Sequence, residues 1–365
     1  MNEHLKAAIV KANKSIWDGG KTAKITKNGL YEVWYLIIDD IPREQAYWIR
    51  YTLMCPQIPK ISRSKENILR IIEDAGGGAM LWFGFFDAKN PGQNYMVKKS
   101  FPLTQLKGTS GDLVVGIGGA ELTFTGAKGN FTTKKGRSIA WDVNFDHFQE
   151  SYISVPEIAN KLKLTNTLLL GTHPNLRING QITVDGITKK FKHVPGIQYH
   201  TFGDGYKIPW EWLSIHTFKE NPDAYLDFGY KISKGTIGFF DGQENHFIWN
   251  ANPLKKLLMM KKIQRKKSLT DLEFSTDFKG ITLKGSIHIP QNALLGVEYK
   301  GPQGNSYYCY NSEIASASVS LQIRNKIGEI IKSGEFHAEK SVAFETVYES
   351  PQAGVPYLPW DAEEL

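Results

Sequence analysis

The chain has 365 residues, 41% hydrophobic, 12% aromatic and 22% charged, with a formal net charge of +7 at pH 7. That length suits about two domains and a large core that needs no disulfide or metal staples, and the balance is globular rather than disordered. Two cysteines, Cys55 and Cys309, exclude a disulfide scaffold and a thiolate zinc cluster, and no run reaches the ~18 apolar residues of a membrane-spanning helix.

In chain order, Leu5, Ala8, Ile9, Ala12 and Ile16 recur at helical spacing, which predicts a short N-terminal helix. The same stretch lacks the ~7–15 consecutive apolar residues of a signal peptide, so a reducing cytoplasm is the expected location. Strand signals then dominate. YEVWYLIID (31–39) and QAYWIRYTLM (45–54) read as a hairpin, followed by AMLWFGFFD (79–87), DLVVGIGGAELTFTG (112–126) and RSIAWDVNFD (137–146). Residues 165–194 hold two or three more strands with a turn at Asp185-Gly186.

The second half continues in the same style through PWEWLSIHTF, AYLDFGYKI, TIGFFDG and NHFIWN, then through further short β-runs to SVAFETVYES. Strands at ~8–12-residue spacing, without long amphipathic helices between them, indicate antiparallel all-β barrels or sandwiches. There is no strict internal repeat.

Phosphate-loop, GxSxG, HExxH and EF-hand patterns are all missing, and Glu121 stands where GxGxxG needs its third glycine. No metal or other cofactor is therefore expected. Nor is nucleic acid, because seven cations crowd into the thirteen residues 255–267 instead of forming a broad basic face. That segment, with Lys255, Lys256, Lys261, Lys262, Arg265, Lys266 and Lys267 around Leu254, Leu257, Leu258 and Met259, is either a solvated loop or a peripheral contact with anionic membrane.

The most unusual stretch is HVPGIQYHTFGDGYKIPWEWLSIHTF (193–218). On a strand, Trp210 and Trp212 face one way and Glu211 the other. The block is either a rigid corner with tryptophan as filler, or the wall of a ligand cavity formed with His200 at a domain junction. Tyr225 and Asp227 likewise share a strand face, either solvated or turned into such a cavity. Trp48 and Arg50 alternate with Tyr51, so Arg50 is either a surface cation or a buried one stacked on aromatic rings.

The order of these motifs resembles the lipocalin-like superfamily that includes plant tocopherol cyclases, bacterial carotenoid 1,2-hydratases of the hydroxyneurosporene synthase type, AttH-type proteins and some fungal Diels–Alderases. The matching pieces are YEVWYL (31–36), AYWIRYTL (46–53), LWFGFFD (81–87), IAWDVNF (139–145), NGQITVDGITKKF (179–191), GIQYHTFG…PWEWLSIHTF (196–218) and SVAFETV (341–347). Relatives carry His-x-Trp-Gly where this chain has His200-Thr201-Phe202-Gly203.

The resemblance implies two consecutive lipocalin-like β-barrels or sandwiches, divided here as 1–195 and 196–365. It further implies a non-redox cyclase, isomerase or hydratase acting on a terpenoid or similar hydrophobic polyene. The alternative is a non-catalytic carrier of such a ligand. For the enzyme, Asp227 with Tyr225 is the expected proton donor and His200 the orienting or relaying group. Trp210, Trp212, Phe202, Trp34, Trp48 and Trp82 are the expected aromatic lining at the junction. A carboxyl in apolar surroundings has a raised pKa and can donate a proton near neutral pH.

Overall fold

The computed structural model describes Ala7 and residues 10–17, 27–58, 68–146, 151–153, 167–205, 209–231, 234–247 and 263–365. Residues 10–13 are helical, within the expected N-terminal helix, and α1 spans Ile68–Asp74. Nearly all other regular structure is antiparallel strand.

The first sheet has twelve strands: β1 (Leu30–Asp40), β2 (Gln45–Cys55), β3 (Gly78–Asp87), β4 (Tyr95–Phe101), β5 (Leu106–Lys107), β6 (Leu113–Ile117), β7 (Ala120–Thr123), β8 (Gly126–Thr132), β9 (Ser138–Asp146), β10 (Tyr152–Ile153), β11 (Thr167–Val184) and β12 (Ile187–Gly203). Their order is β4-β3-β2-β1-β12-β11-β9-β8-β7-β6-β5, with β10 added to β11. β6 comes back against β2 and β3, so the sheet curls almost closed around its core.

The second sheet has eleven: β13 (Trp210–Ile215), β14 (Tyr225–Lys231), β15 (Lys234–Phe240), β16 (Asn245–Phe247), β17 (Gln264–Lys267), β18 (Asp271–Phe278), β19 (Ile281–His288), β20 (Leu295–Lys300), β21 (Ser306–Arg324), β22 (Ile330–Tyr348) and β23 (Tyr357–Leu358). Their order, β16-β15-β14-β13-β22-β21-β19-β18-β17, repeats the plan of the first sheet. In each, a four-strand meander joins through its first strand to the last strand of a long hairpin. The duplication is one of topology, since the sequence carries no matching repeat.

The Asp185-Gly186 turn lies where expected, with φ of 49° and 81°, as a two-residue hairpin requires. The strands it joins are longer than the sequence suggests. β11 and β12 run for 18 and 17 residues, made possible by register shifts along β11 that bend it. Residues 196–203 are therefore a continuation of β12 rather than a corner. The proposed division at 195/196 falls inside this strand, and the sheets part between Gly203 and Trp210.

Three apolar layers result. One fills the first sheet, one fills the second, and a third lies between them. β1 is buried along its whole length because it serves two of these layers. Trp34, Leu36 and Ile38 point into the first sheet, while Tyr31, Val33, Tyr35 and Ile37 point at the second. Solvation of one face normally writes a polar/apolar alternation into a strand, and here neither face is solvated.

Candidate functional site

β12 separates the predicted site residues. Its successive side chains point to opposite faces, so His200 enters the first sheet and Tyr199 enters the layer between the sheets. His200 is fully buried and stacks on Trp34, with ring centroids 4.6 Å apart and 2° between planes. Its Nδ1 donates to the Ala12 carbonyl at 2.8 Å, and its Nε2 lies 3.1 Å from Glu32 Oε1. Glu32 also accepts from Ser15 Oγ and the Ile16 N–H, so the N-terminal segment covers this cluster. Phe202 packs on the same side, 5.2 Å from the His200 ring. His200, Trp34 and Phe202 are thus not at the junction, and His200 does not relay to Asp227, because the wall of the first sheet stands between them.

The other predicted residues do converge between the sheets. On β13, Trp210 and Trp212 face the first sheet, while Leu213 and Ile215 face the second sheet's own core. The Trp212 ring meets Tyr35 at 5.6 Å and Tyr199 at 5.5 Å, edge to face. Its indole N–H donates to Asp227 Oδ2 at 3.1 Å. Asp227 is 1% exposed and lies opposite Ser214 in the β13–β14 ladder, while its neighbours Leu226 and Phe228 enter the second core. Tyr225, also buried, shares the Asp227 face. Asp227 therefore points into the aromatic layer, away from solvent.

Trp48 and Trp82 line the same layer from β2 and β3. Arg50 is buried against them, its guanidinium 5.6 Å from the Trp48 ring, 5.7 Å from Trp82 and 4.2 Å from Tyr299. It also donates to the Tyr299 hydroxyl, so a cation of the first sheet is held by a phenol of the second.

Three further carboxylates face this layer, and sequence reasoning did not single them out. Trp210 Nε1 donates to Glu345 Oε1 at 2.9 Å. Burial raises the Glu345 pKa above the usual carboxylate range, while Arg50 and the bonds from Cys309 and Trp210 oppose that rise. Glu313, fully buried, is pushed well above its ordinary value by burial and then by Asp39 and Glu345, and its Oε2 has no hydrogen-bond partner among the described residues. Asp39 lies 2.7 Å from His216 Nε2, both buried. The signal for Glu345 was present in SVAFETVY, where Ala343, Glu345 and Val347 share a face and a lone acid interrupts an apolar row.

Glu211 turns away from the two tryptophans, as alternation requires. It is held inside the second sheet by Arg265 at 2.9 Å and Lys267 at 2.5 Å. These two cations of the basic segment are therefore occupied internally and are not offered to a membrane. Lys266 is exposed, and Lys255, Lys256, Lys261 and Lys262 lie outside the described residues.

Among the described residues no helix is long and apolar enough to cross a membrane, and no three His, Cys, Asp or Glu form a group that could hold a metal ion. An open cleft of about 580 Å³ lies on the second sheet, lined by Gln264, Lys266, Ser275, Lys284, Ser286 and Ser318 among others. None of the aromatic-layer residues borders it, so it is not the pocket expected at the junction.

No protein-family model matches the chain, and no curated protein matches it. Among solved structures it is similar to an AttH protein from Nitrosomonas europaea, at 10% identity and TM-score 0.45 over 90% of this chain and 96% of the other. It is similar to kievitone hydratase from Nectria haematococca at 10% identity and TM-score 0.45, over 92% and 96%. A third similar structure is CghA with Sch210972, at 8% identity and TM-score 0.48, over 87% and 88%.

Proposed function

We propose that the chain is a non-redox cyclase, isomerase or hydratase that protonates a terpenoid or similar hydrophobic polyene between its two sheets, with Glu345 and Asp227 as the acid centre. The observation that carries this reading is Glu345 itself, a carboxyl with a raised pKa held by the Trp210 indole beside the Tyr35–Tyr199–Trp212 wall. The sequence resemblance supports the same class of chemistry.

Burial of this kind moves a carboxyl's pKa toward neutrality and so favours its acting as a proton donor. In the reaction proposed, the π electrons of an alkene take that proton as a new C–H bond, leaving a carboxylate and a carbocation. Ring faces of the wall stabilise the cation. A second alkene closes a ring on it and the new cation gives a neighbouring proton to the carboxylate, or water adds and gives its extra proton to the carboxylate, or the carboxylate takes a neighbouring proton back at once. No electron acceptor is needed in any of the three.

The two-domain organisation belongs to this reading, with the division moved to the junction between Gly203 and Trp210. A cytoplasmic location does too, supported by two buried free thiols, Cys55 and Cys309.

Native mass spectrometry of the purified chain should reveal a co-purified hydrophobic molecule, to be followed by turnover assays on that compound and its unsaturated analogues. Glu345→Gln or Asp227→Asn should lower turnover ~10²–10⁴-fold, the usual share of a general acid, with affinity within several-fold. A wild-type chain that binds the molecule tightly and releases it unchanged would establish the carrier instead.

A further inference from the structure

β21 and β22 continue beyond the body of the second sheet into a hairpin whose turn is tightly made. Asn325 Oδ1 accepts from the Ile327 and Glu329 N–H groups at 3.1 and 3.0 Å, and Asn325 Nδ2 donates to Glu329 Oε2 at 2.9 Å. This ordered tip carries Ile327 at 79% exposure, Ile330 at 53% and Ile331 at 65%. A single exposed isoleucine needs no explanation, but three within five residues do. Ile330 and Ile331 are consecutive on a strand, so they clothe opposite faces of the ribbon while Ile327 sits at the apex. The tip carries apolar side chains at its apex and on both faces of the ribbon, a shape that suits a fluid medium rather than a flat protein partner.

Cations stand behind it. Arg324 ends β21 before the turn, Lys326 lies in the turn beside Ile327, Lys332 follows on β22, and Lys279 comes from the adjoining β18–β19 turn, where the Arg324 N–H donates to the Gly280 carbonyl at 2.8 Å. Lys332 is paired with Asp241 at 2.5 Å, and Arg324 lies 3.9 Å from Asp277. Lys279 and Lys326 have no ion pair among the described residues, and the one acid of the tip, Glu329, is tied to Asn325. Over residues 323–332 three cations face one carboxylate. An apolar apex with a cationic collar follows the order of an anionic bilayer seen from within, acyl chains first and phosphates after.

We propose that this hairpin tip is a lipid-docking finger, with Ile327, Ile330 and Ile331 entering the surface of an anionic phospholipid bilayer and Lys279, Arg324 and Lys326 meeting its headgroups. The proposal stands apart from the acid chemistry and from the 255–267 segment.

The test uses the full chain and vesicles of phosphatidylcholine with and without phosphatidylserine, read by co-sedimentation at low and high salt. The wild type should bind the phosphatidylserine vesicles, more weakly at high salt. Ile327→Ser/Ile330→Ser/Ile331→Ser should reduce that binding at least ~10-fold, since all three sites are exposed and burial in the membrane is what they lose. Lys279→Glu/Lys326→Glu should remove the preference for phosphatidylserine. Ile187→Ser, at a 70% exposed hairpin isoleucine of the first sheet, is the control and should leave binding unchanged. A wild type that ignores both vesicles, or a triple serine variant that binds as the wild type does, would overturn the proposal. So would a triple variant whose only change is a loss of self-association, which would make the tip a contact between copies of the chain.

Discussion

Glu211 shows how much one inward-facing acid can set. Its carboxylate gathers Arg265 and Lys267, whose positive charges also lie over the Tyr230 and Tyr348 rings at 4.3 and 4.7 Å. Glu211→Gln keeps the shape but leaves two cations facing each other, and should lower stability by about 3 kcal/mol, measurable from the urea midpoint. Lys98 is the opposite case, a buried cation between the Trp82 and Trp360 rings that donates to the Pro359 and Trp360 carbonyls. Burial pulls its pKa down from 10.5 to about 8, against the pull of Glu298, Asp361 and Glu363. Between these values the unfolded chain holds a proton that the folded chain has released, so this group's contribution to stability rises with pH from 8 to 10.5. The cost removed over that window is roughly 3 kcal/mol. Lys98→Met should abolish that rise, seen as a gap between wild type and variant that changes with pH in parallel unfolding curves.

Bulges decide what the long strands can do. β11 shifts register at Ile178/Gly180, where Gly180 has a φ of 136° and a Cβ would stand 2.2 Å from the Asp142 carbonyl oxygen of β9. Gly180→Ala adds both strain and a backbone clash and should cost at least ~2 kcal/mol. Gly186→Ala, in an open turn with φ of 81°, adds strain alone and should cost about 1 kcal/mol. Thermal melts of the two variants compare them directly. The same elements show why the 193–218 block reads as a corner in the sequence. His193 has a φ of 56° and Pro195 lacks an N–H, which ordinarily end a strand. Both precede Gly196, where the paired stretch with β1 begins, so β12 passes through them unbroken.

The whole molecule is held together by the layer between its sheets, and Arg50 with Tyr299 is a polar link across it. A cycle of Arg50→Met, Tyr299→Phe and the double variant should give a coupling of ~1.5–3 kcal/mol, the range for a hydrogen bond to a charged group. A coupling near zero in urea unfolding would mean that apolar contacts alone join the sheets. The tail strengthens the link. β23 pairs with β20, and farther on the Lys98 N–H donates to the Glu363 carbonyl and the Leu365 N–H to the Met96 carbonyl, so the end of the chain adds to the β4 edge of the first sheet.

Local chemistry was enough to make most of these strands legible. Period-two runs of β-branched and aromatic residues placed β1, β2, β3 and β9. The Asp-Gly pair placed the β11–β12 turn, and alternation put Glu211 opposite its two tryptophans and Asp227 beside Tyr225. The same local rule could not say which face of a strand meets which layer. Tyr199 and His200 are adjacent and both fully buried, yet one looks at Trp212 across the interface and the other at Trp34 inside the first sheet. Glu345 acquires its raised pKa only because packing of the two sheets buries its carboxyl, against the opposing pull of Arg50 on β2 and the Trp210 indole on β13. A strand's alternation is set by its own backbone, whereas the medium on each side is set by whichever other strands tertiary packing brings against it.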